Sequence, residues 1–145
     1  MTFTNTQLVT EINTDPKSLG YAALKTAMNY KGLAAVLNST YTGVGTVFRT
    51  DVRAQEVLSA LVWSEISSLA TNSWLTLNSL LIPGIIDATK TTIRNLFTGL
   101  FPSATFPTTA SNLNAIAIKA SPSRAEELWG YGTSVGEQDV ATAIN

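Results

Sequence analysis

Helix-stopping signals recur along this chain at such short intervals that no helix in it can be long. Asn13-Thr14-Asp15-Pro16, Asn38-Ser39-Thr40, Pro83-Gly84, Pro102, Pro107 and Gly130 each interrupt an apolar pattern of helical spacing. Proline pushes the residue before it out of the helical region, and glycine or asparagine accepts the left-handed turn that ends a helix. Between these stops the start signals are equally plain. Thr4-Asn5-Thr6-Gln7 is a capping-box pattern, and so is Ser123-Arg124-Ala125-Glu126.

The segments in between therefore read as short helices. One runs from the Thr4 cap to about Asn13, with Leu8, Val9 and Ile12 on its apolar side. A second restarts at Pro16 and carries Ala22, Ala23, Leu24 and Met28 toward Tyr30; a third is Lys31 to Asn38. From Thr50 the residues Val52, Val57, Leu58, Leu61 and Val62 lie near helical spacing. Ser64 is placed to cap a helix through Leu69, Trp74, Leu77 and Leu81, with a break near Thr71-Asn72-Ser73. Asp87 is placed as the cap of a helix bearing Ile93, Leu96, Phe97 and Leu100, and Ser111 opens one bearing Leu113, Ile116, Ala117 and Ala120. The last two helices are 123–130 and 137–144, with Gly130 at a left-handed position and Val135 and Val140 at the spacing of a hydrophobic staple.

One segment breaks the pattern. YTGVGTVFRT, residues 41–50, is β-branched and aromatic with two glycines, and predicts an extended arm or hairpin that pairs with a neighbouring subunit. Its two glycines do not make a phosphate loop, because no helix with a Lys-Ser/Thr or third glycine follows in register. The expected fold is all-α: a compact single domain, 1–145, of six to eight short helices with one extended arm or hairpin near 41–50.

The residue inventory narrows function more than fold. The chain has no cysteine and no histidine, so the commonest general base, thiolate nucleophiles and the usual soft metal ligands are missing. The closest carboxylate sets are Asp51 with Glu56 and Glu126 with Glu127. Adjacent helical residues point about 100° apart, so Glu126 and Glu127 do not face one substrate. Glu126 reads better as the N3 member of a cap, and Glu127 as a solvated or arginine-paired neighbour. No catalytic, cofactor-binding or metal-binding residue is expected, and no small-molecule substrate.

Charge points the same way. Nine basic and ten acidic residues give a formal net charge of -1 with no basic stripe, so no specific nucleic-acid binding is expected. The longest apolar run, LLIPGII, is broken by Pro83-Gly84 and far shorter than the roughly 20 residues of a membrane span, and the N-terminus lacks a secretory pattern. Charged residues are only 13% of the chain, while Ser, Thr and Asn supply about 30%. A surface so poor in charge is suited to burial against other subunits, because interface centres are depleted in charge. The candidate subunit interface is Val44, Val47, Phe48 and Arg49 from the arm, and Arg124, Trp129 and Tyr131 near the C-terminus. Trp63 and Trp74, within helical segments, are expected in the core. Arg49, Arg53, Arg94 and Arg124 are either ordinary exposed arginines or partners for a neighbour's carboxylate.

Two strings go further. TEINTDPKSLGYA, residues 10–22, followed by AAVLNS, and SRAEELWGYGTSVGEQDVATAI, residues 123–144, resemble a family of small proteins encoded by tailed bacteriophages. Those chains carry an I-x-x-D-P-x-x-L-G-Y-A opening and close on SRAEELFG or SRAEELWG, then G-T-x-V and a short helix. The resemblance covers roughly a third of the chain and finds no specific string in 41–110. It implies a phage origin and brings no catalytic motif. The expectation is a structural virion protein, a homo-oligomer bound to other phage structural proteins at the neck, collar, tail or a tail appendage, made in the host cytoplasm. A non-virion assembly factor or tail-fibre chaperone, and a capsid decoration protein, are the alternatives.

Overall fold

The computed structural model describes residues 3–145. In chain order the elements are α1 (Asn5–Thr14), α2 (Tyr21–Thr26), α3 (Tyr30–Leu37), β1 (Val52–Arg53), α4 (Ala54–Ala60), α5 (Trp63–Ile66), α6 (Thr71–Leu81), β2 (Ile85–Ile86), α7 (Thr91–Leu100), α8 (Pro107–Ala117), α9 (Arg124–Trp129) and α10 (Glu137–Ile144). The protein is all-α apart from one two-stranded ribbon, with ten helices among the described residues where six to eight were expected. Contacts fall into two compact units, one made of residues up to Val47 together with Ala120–Asn145, the other of Phe48–Lys119.

The first unit packs α1, α2, α3, α9 and α10 around Leu8, Ile12, Tyr21, Leu33, Leu37, Ala125, Trp129, Val135 and Val140. Its caps follow the sequence closely. The Thr4 hydroxyl accepts from Gln7 N at 3.2 Å while Thr4 N donates to the Gln7 side chain at 2.8 Å. Ser123 and Glu126 make the reciprocal pair at 3.1 and 3.0 Å, and Glu126 also accepts from Gly132 N at 3.0 Å. Val135 and Val140 are both buried, and Asp139 accepts from the Gly136 N–H at 2.8 Å.

Local corrections come from side chains that outcompete the simple stop-and-start reading. Pro16 does not restart a helix. Instead the Asp15 carboxylate accepts N–H bonds from Leu19, Gly20 and Tyr21, which organises a loop and delays α2 to Tyr21. Met28 leaves the helix with φ +50°, and Gly130 has φ +98° with an extended ψ of 165° rather than a left-handed helical turn. The Asn38 side chain pairs with both backbone groups of Val135, at 2.7 and 2.8 Å, fastening the end of α3 to the entry of α10.

The second unit gathers α4–α8 and the ribbon around Val52, Val57, Ile66, Leu77, Ile86, Phe101, Phe106 and Leu113. Val52, expected in a helix, pairs instead with Ile86, and Arg53 with Ile85, in an antiparallel register. The chain around Arg49 extends this ribbon: Arg49 N donates to Ala117 O and Arg49 O accepts from Ala88 N, both at 2.9 Å, beside a Phe48–Ile118 bridge. The end of the expected arm therefore finds its pairing partners inside the chain, which satisfies the edge that was assigned to a neighbour.

The helix starts in this unit also differ. The break between α5 and α6 falls at 67–70, before Thr71. Asp87 does not cap α7; it closes a tight turn on Thr89 N and Oγ1, and α7 starts after Lys90. α8 begins at Pro107 rather than Ser111, because proline suits the first helical turn and Glu65 caps it from a distance. The Glu65 carboxylate accepts from Thr108 N at 2.9 Å and Thr109 N at 2.8 Å. Burial opposes ionisation there, but the N–H bonds from Thr109 and Thr108 prevail and hold the carboxyl down at about 2. Ala120 lies beyond the helix, which ends at Ala117.

Candidate functional site

The first unit contains a buried charge cluster assembled from four elements of its own sequence. The α9 cap aims Arg124 inward, where its Nε and Nη2 donate to the two Glu11 carboxylate oxygens at 2.8 and 2.9 Å. Its Nη1 reaches Glu127 one helical turn away at 2.6 Å. Both side chains of the Arg124–Glu11 pair are 6% exposed. This fork-on-carboxylate geometry is the strong form of an ion pair, with every carboxylate oxygen of Glu11 engaged.

Glu127 carries the cluster to the loop after α3. It accepts from the Tyr41 hydroxyl and, at 2.9 Å, from Gly45 N. Burial works to raise the Glu127 pKa, but the bonds from Tyr41, Arg124 and Gly45 outweigh it and leave the carboxyl below its ordinary range. Tyr21, whose hydroxyl lies 3.4 Å from Glu11, is pushed above its ordinary value by burial and then by the Glu11 charge. A β-carbon on Gly45 would sit 2.9 Å from Glu127 Oε1, so any larger residue there would displace a carboxylate that Arg124 and Tyr41 hold in place.

The second unit has a more exposed counterpart. Arg49 donates from Nε to Asp51 at 3.0 Å, from Nη1 and Nη2 to Glu56 at 2.8 and 3.2 Å, and from Nη1 to Ile116 O at 3.1 Å. Glu56 also accepts from Arg53 N at 2.9 Å, and its carboxyl is lowered first by Arg49 and then by that N–H. The two closest carboxylate sets in the sequence are thus both engaged. Asp51 and Glu56 share Arg49, while Glu126 serves the backbone and Glu127 the arginine cluster. Among the described residues no three Asp or Glu side chains gather where a metal ion would sit, and no helix is long and apolar enough to cross a membrane.

The residues expected to face a partner divide. Arg124, Trp129 and Val47 are buried within their own unit and supply no free surface. Arg124 is drawn in by Glu11, and Trp129 is drawn in by a ring contact with Phe3 at 4.9 Å between centroids. Val44, Phe48, Arg49 and Tyr131 are half-buried. Phe48 lies under the Arg94 guanidinium, 4.0 Å from its ring centroid. Arg49 and Arg124 pair inside the chain, whereas Arg53 and Arg94 have no carboxylate partner among the described residues.

The exposed apolar surface lies elsewhere. Trp63, expected in the core, is 71% exposed, and Ile82 is 82% exposed; Leu58, Leu75 and Ile85 of the same unit are also in water. Trp63 opens the one-turn helix α5, whose single buried residue is Ile66, so the core takes Ile66 and leaves the indole outside. Leu75 lies in α6 and Ile82 is the residue that caps its C-terminal end, still in helical backbone geometry, seven residues on and on the side away from the buried Leu77. Helical spacing identified these positions as apolar but not which turn faced the core.

No family model matches the chain, and neither the curated proteins nor the solved structures contain a match to it.

Proposed function

We propose that this protein is a structural component of a tailed-bacteriophage virion, acting by self-association and by binding neighbouring neck, collar, tail or appendage subunits, and not by catalysis. The observation that carries the reading is the exposure of Trp63 and Ile82 in a chain with few charges. Single exposed apolar side chains are ordinary, but Trp63 at 71% and Ile82 at 82% exposure, with Leu58, Leu75 and Ile85 of the same unit also in water, together offer apolar area that a partner would cover. Aromatic anchors of this kind dominate binding energy at interfaces. The resemblance of residues 10–22 and 123–144 to phage proteins supplies the setting, and closed rings of identical subunits would bury such side chains without charge. Assembly in the host cytoplasm, followed by incorporation in the particle, belongs to the same reading.

Sedimentation equilibrium of the purified chain tests the self-association. The wild type is expected to form a defined oligomer, and W63E together with I82E to shift it toward monomer while the helical circular dichroism is kept. A wild type that remains monomeric at high concentration argues against self-association through these residues.

A further inference from the structure

A chamber of about 260 Å³ lies inside the second unit, between α7 and α8 and above the β1–β2 ribbon. Its origin is legible in the sequence of α8. Ala110, Leu113, Asn114 and Ala117 share one helix face, and the two alanines stand where a tightly packed pair of helices would place larger residues. α7 presents Ile93, Arg94, Phe97 and Thr98 to the same space and has no fully buried residue of its own. The interior wall is Val52, Val57, Ile86, Phe101 and Leu113, all buried. The exposed wall residues are Thr98, Ser103 and Asn114, which mark the mouth.

Arg94 gives the chamber a sign. Its Nη1 donates to Ala88 O at 2.6 Å and Thr89 O at 2.7 Å, and its Nη2 to Thr91 Oγ1 at 3.1 Å. A guanidinium has five N–H donors, so two remain unspent. No carboxylate among the described residues neutralises it. Arg94 thus brings a cation without a carboxylate partner to the residues that line an otherwise uncharged chamber; one face of its guanidinium lies on Phe48, and uncharged hydrogen-bonding groups stand at the mouth.

We propose that this chamber is a binding site for a compact carboxylic acid with an aromatic or branched aliphatic body. The body fills the space left by Ala110 and Ala117, and the carboxylate meets the Arg94 guanidinium. The size is appropriate, since cavities of roughly 150 Å³ lined by aliphatic and aromatic side chains take up benzene, and this chamber has room for a ring with a short acid arm. Arg94 is a suitable partner because its planar fork recognises carboxylates with two parallel bonds.

The test is titration of the full chain with phenylacetate, indole-3-acetate and the neutral analogue phenylacetamide, followed by amide NMR shifts and calorimetry. Phenylacetate or indole-3-acetate is expected to bind saturably at one site, shifting the amides of α7 and α8, while phenylacetamide binds more weakly. R94M is expected to weaken acid binding roughly tenfold, the loss of one charge-assisted pair, and to leave phenylacetamide unaffected. R94K, which retains the charge, keeps the sign of the preference if R94M proves poorly folded. A117L fills the chamber and is expected to abolish binding of both kinds of probe without loss of helix. No saturable binding of either acid, equal affinity for acid and amide, or binding untouched by A117L would each overturn the proposal.

Discussion

Replacing Arg124 with methionine is the perturbation whose outcome the structure fixes most narrowly. Methionine keeps much of the apolar stem and removes three charge-assisted bonds, two to Glu11 and one to Glu127. Glu11 is then left with only the 3.4 Å contact from Tyr21, at 6% side-chain exposure. Breaking a buried ion pair on one side costs about 3–5 kcal/mol, mostly from the stranded charge. For a chain of this size, at roughly 2–4 °C per kcal/mol, the midpoint should fall by about 6–20 °C. Removing both charges as E11M with R124M should recover most of that loss, because an apolar pair of similar volume is close to neutral in such a site. Urea titrations read by the fluorescence of buried Trp129 and by circular dichroism supply the four corners of the cycle, with an expected coupling of about 2 kcal/mol or more. A cost below about 1 kcal/mol for R124M, or strict additivity of the two changes, would refute the buried pairing of Arg124 with Glu11.

Acid should destabilise the protein in a defined direction. The Glu127 and Glu56 carboxyls are held below the ordinary 4.5, so their stabilisation is present above that value and is lost as pH falls through the lower folded values. E127Q should be less stable at neutral pH and show a shallower acid decline, measured by chemical denaturation from pH 7 to pH 3. G45A, whose new methyl would press on Glu127, should destabilise the first unit and weaken protection of the Gly45 amide in hydrogen exchange. E65Q should speed exchange of the Thr108 and Thr109 amides, since the carboxylate that accepts both is then lost. In dilute, disassembled protein, acrylamide should quench Trp63 more strongly than Trp129, with single-tryptophan variants separating the two.

Local chemistry written within three or four residues was readable from the sequence. The Thr4–Gln7 and Ser123–Glu126 boxes, the Val135–Val140 staple and the short-helix, all-α character each depend on neighbours in the chain, and each is present. What was not readable depends on residues far apart. Glu65 caps a helix that begins 42 residues later at Pro107, and the Val52 strand exists only because Ile86 is folded beside it. Arg124 and Trp129 looked like surface residues because arginine and a terminal tryptophan usually are. Glu11, 113 residues away, reverses that for the arginine, and Phe3 and the apolar core around it reverse it for the tryptophan. Trp63 failed the other way: in a one-turn helix the core had room for Ile66 and not for the indole. The chamber beneath α7 was written in Ala110 and Ala117, but an alanine is silent about whether its neighbours close over it.

Incorporation into a particle is what the proposed function stands or falls on, and mass spectrometry of gradient-purified virions of the phage proposed to encode this chain decides it. Peptides of the chain are expected in finished particles at a fixed ratio to the neck and tail proteins. Purified, infectious particles that lack the protein, while infected cells contain it, would overturn the proposed virion role.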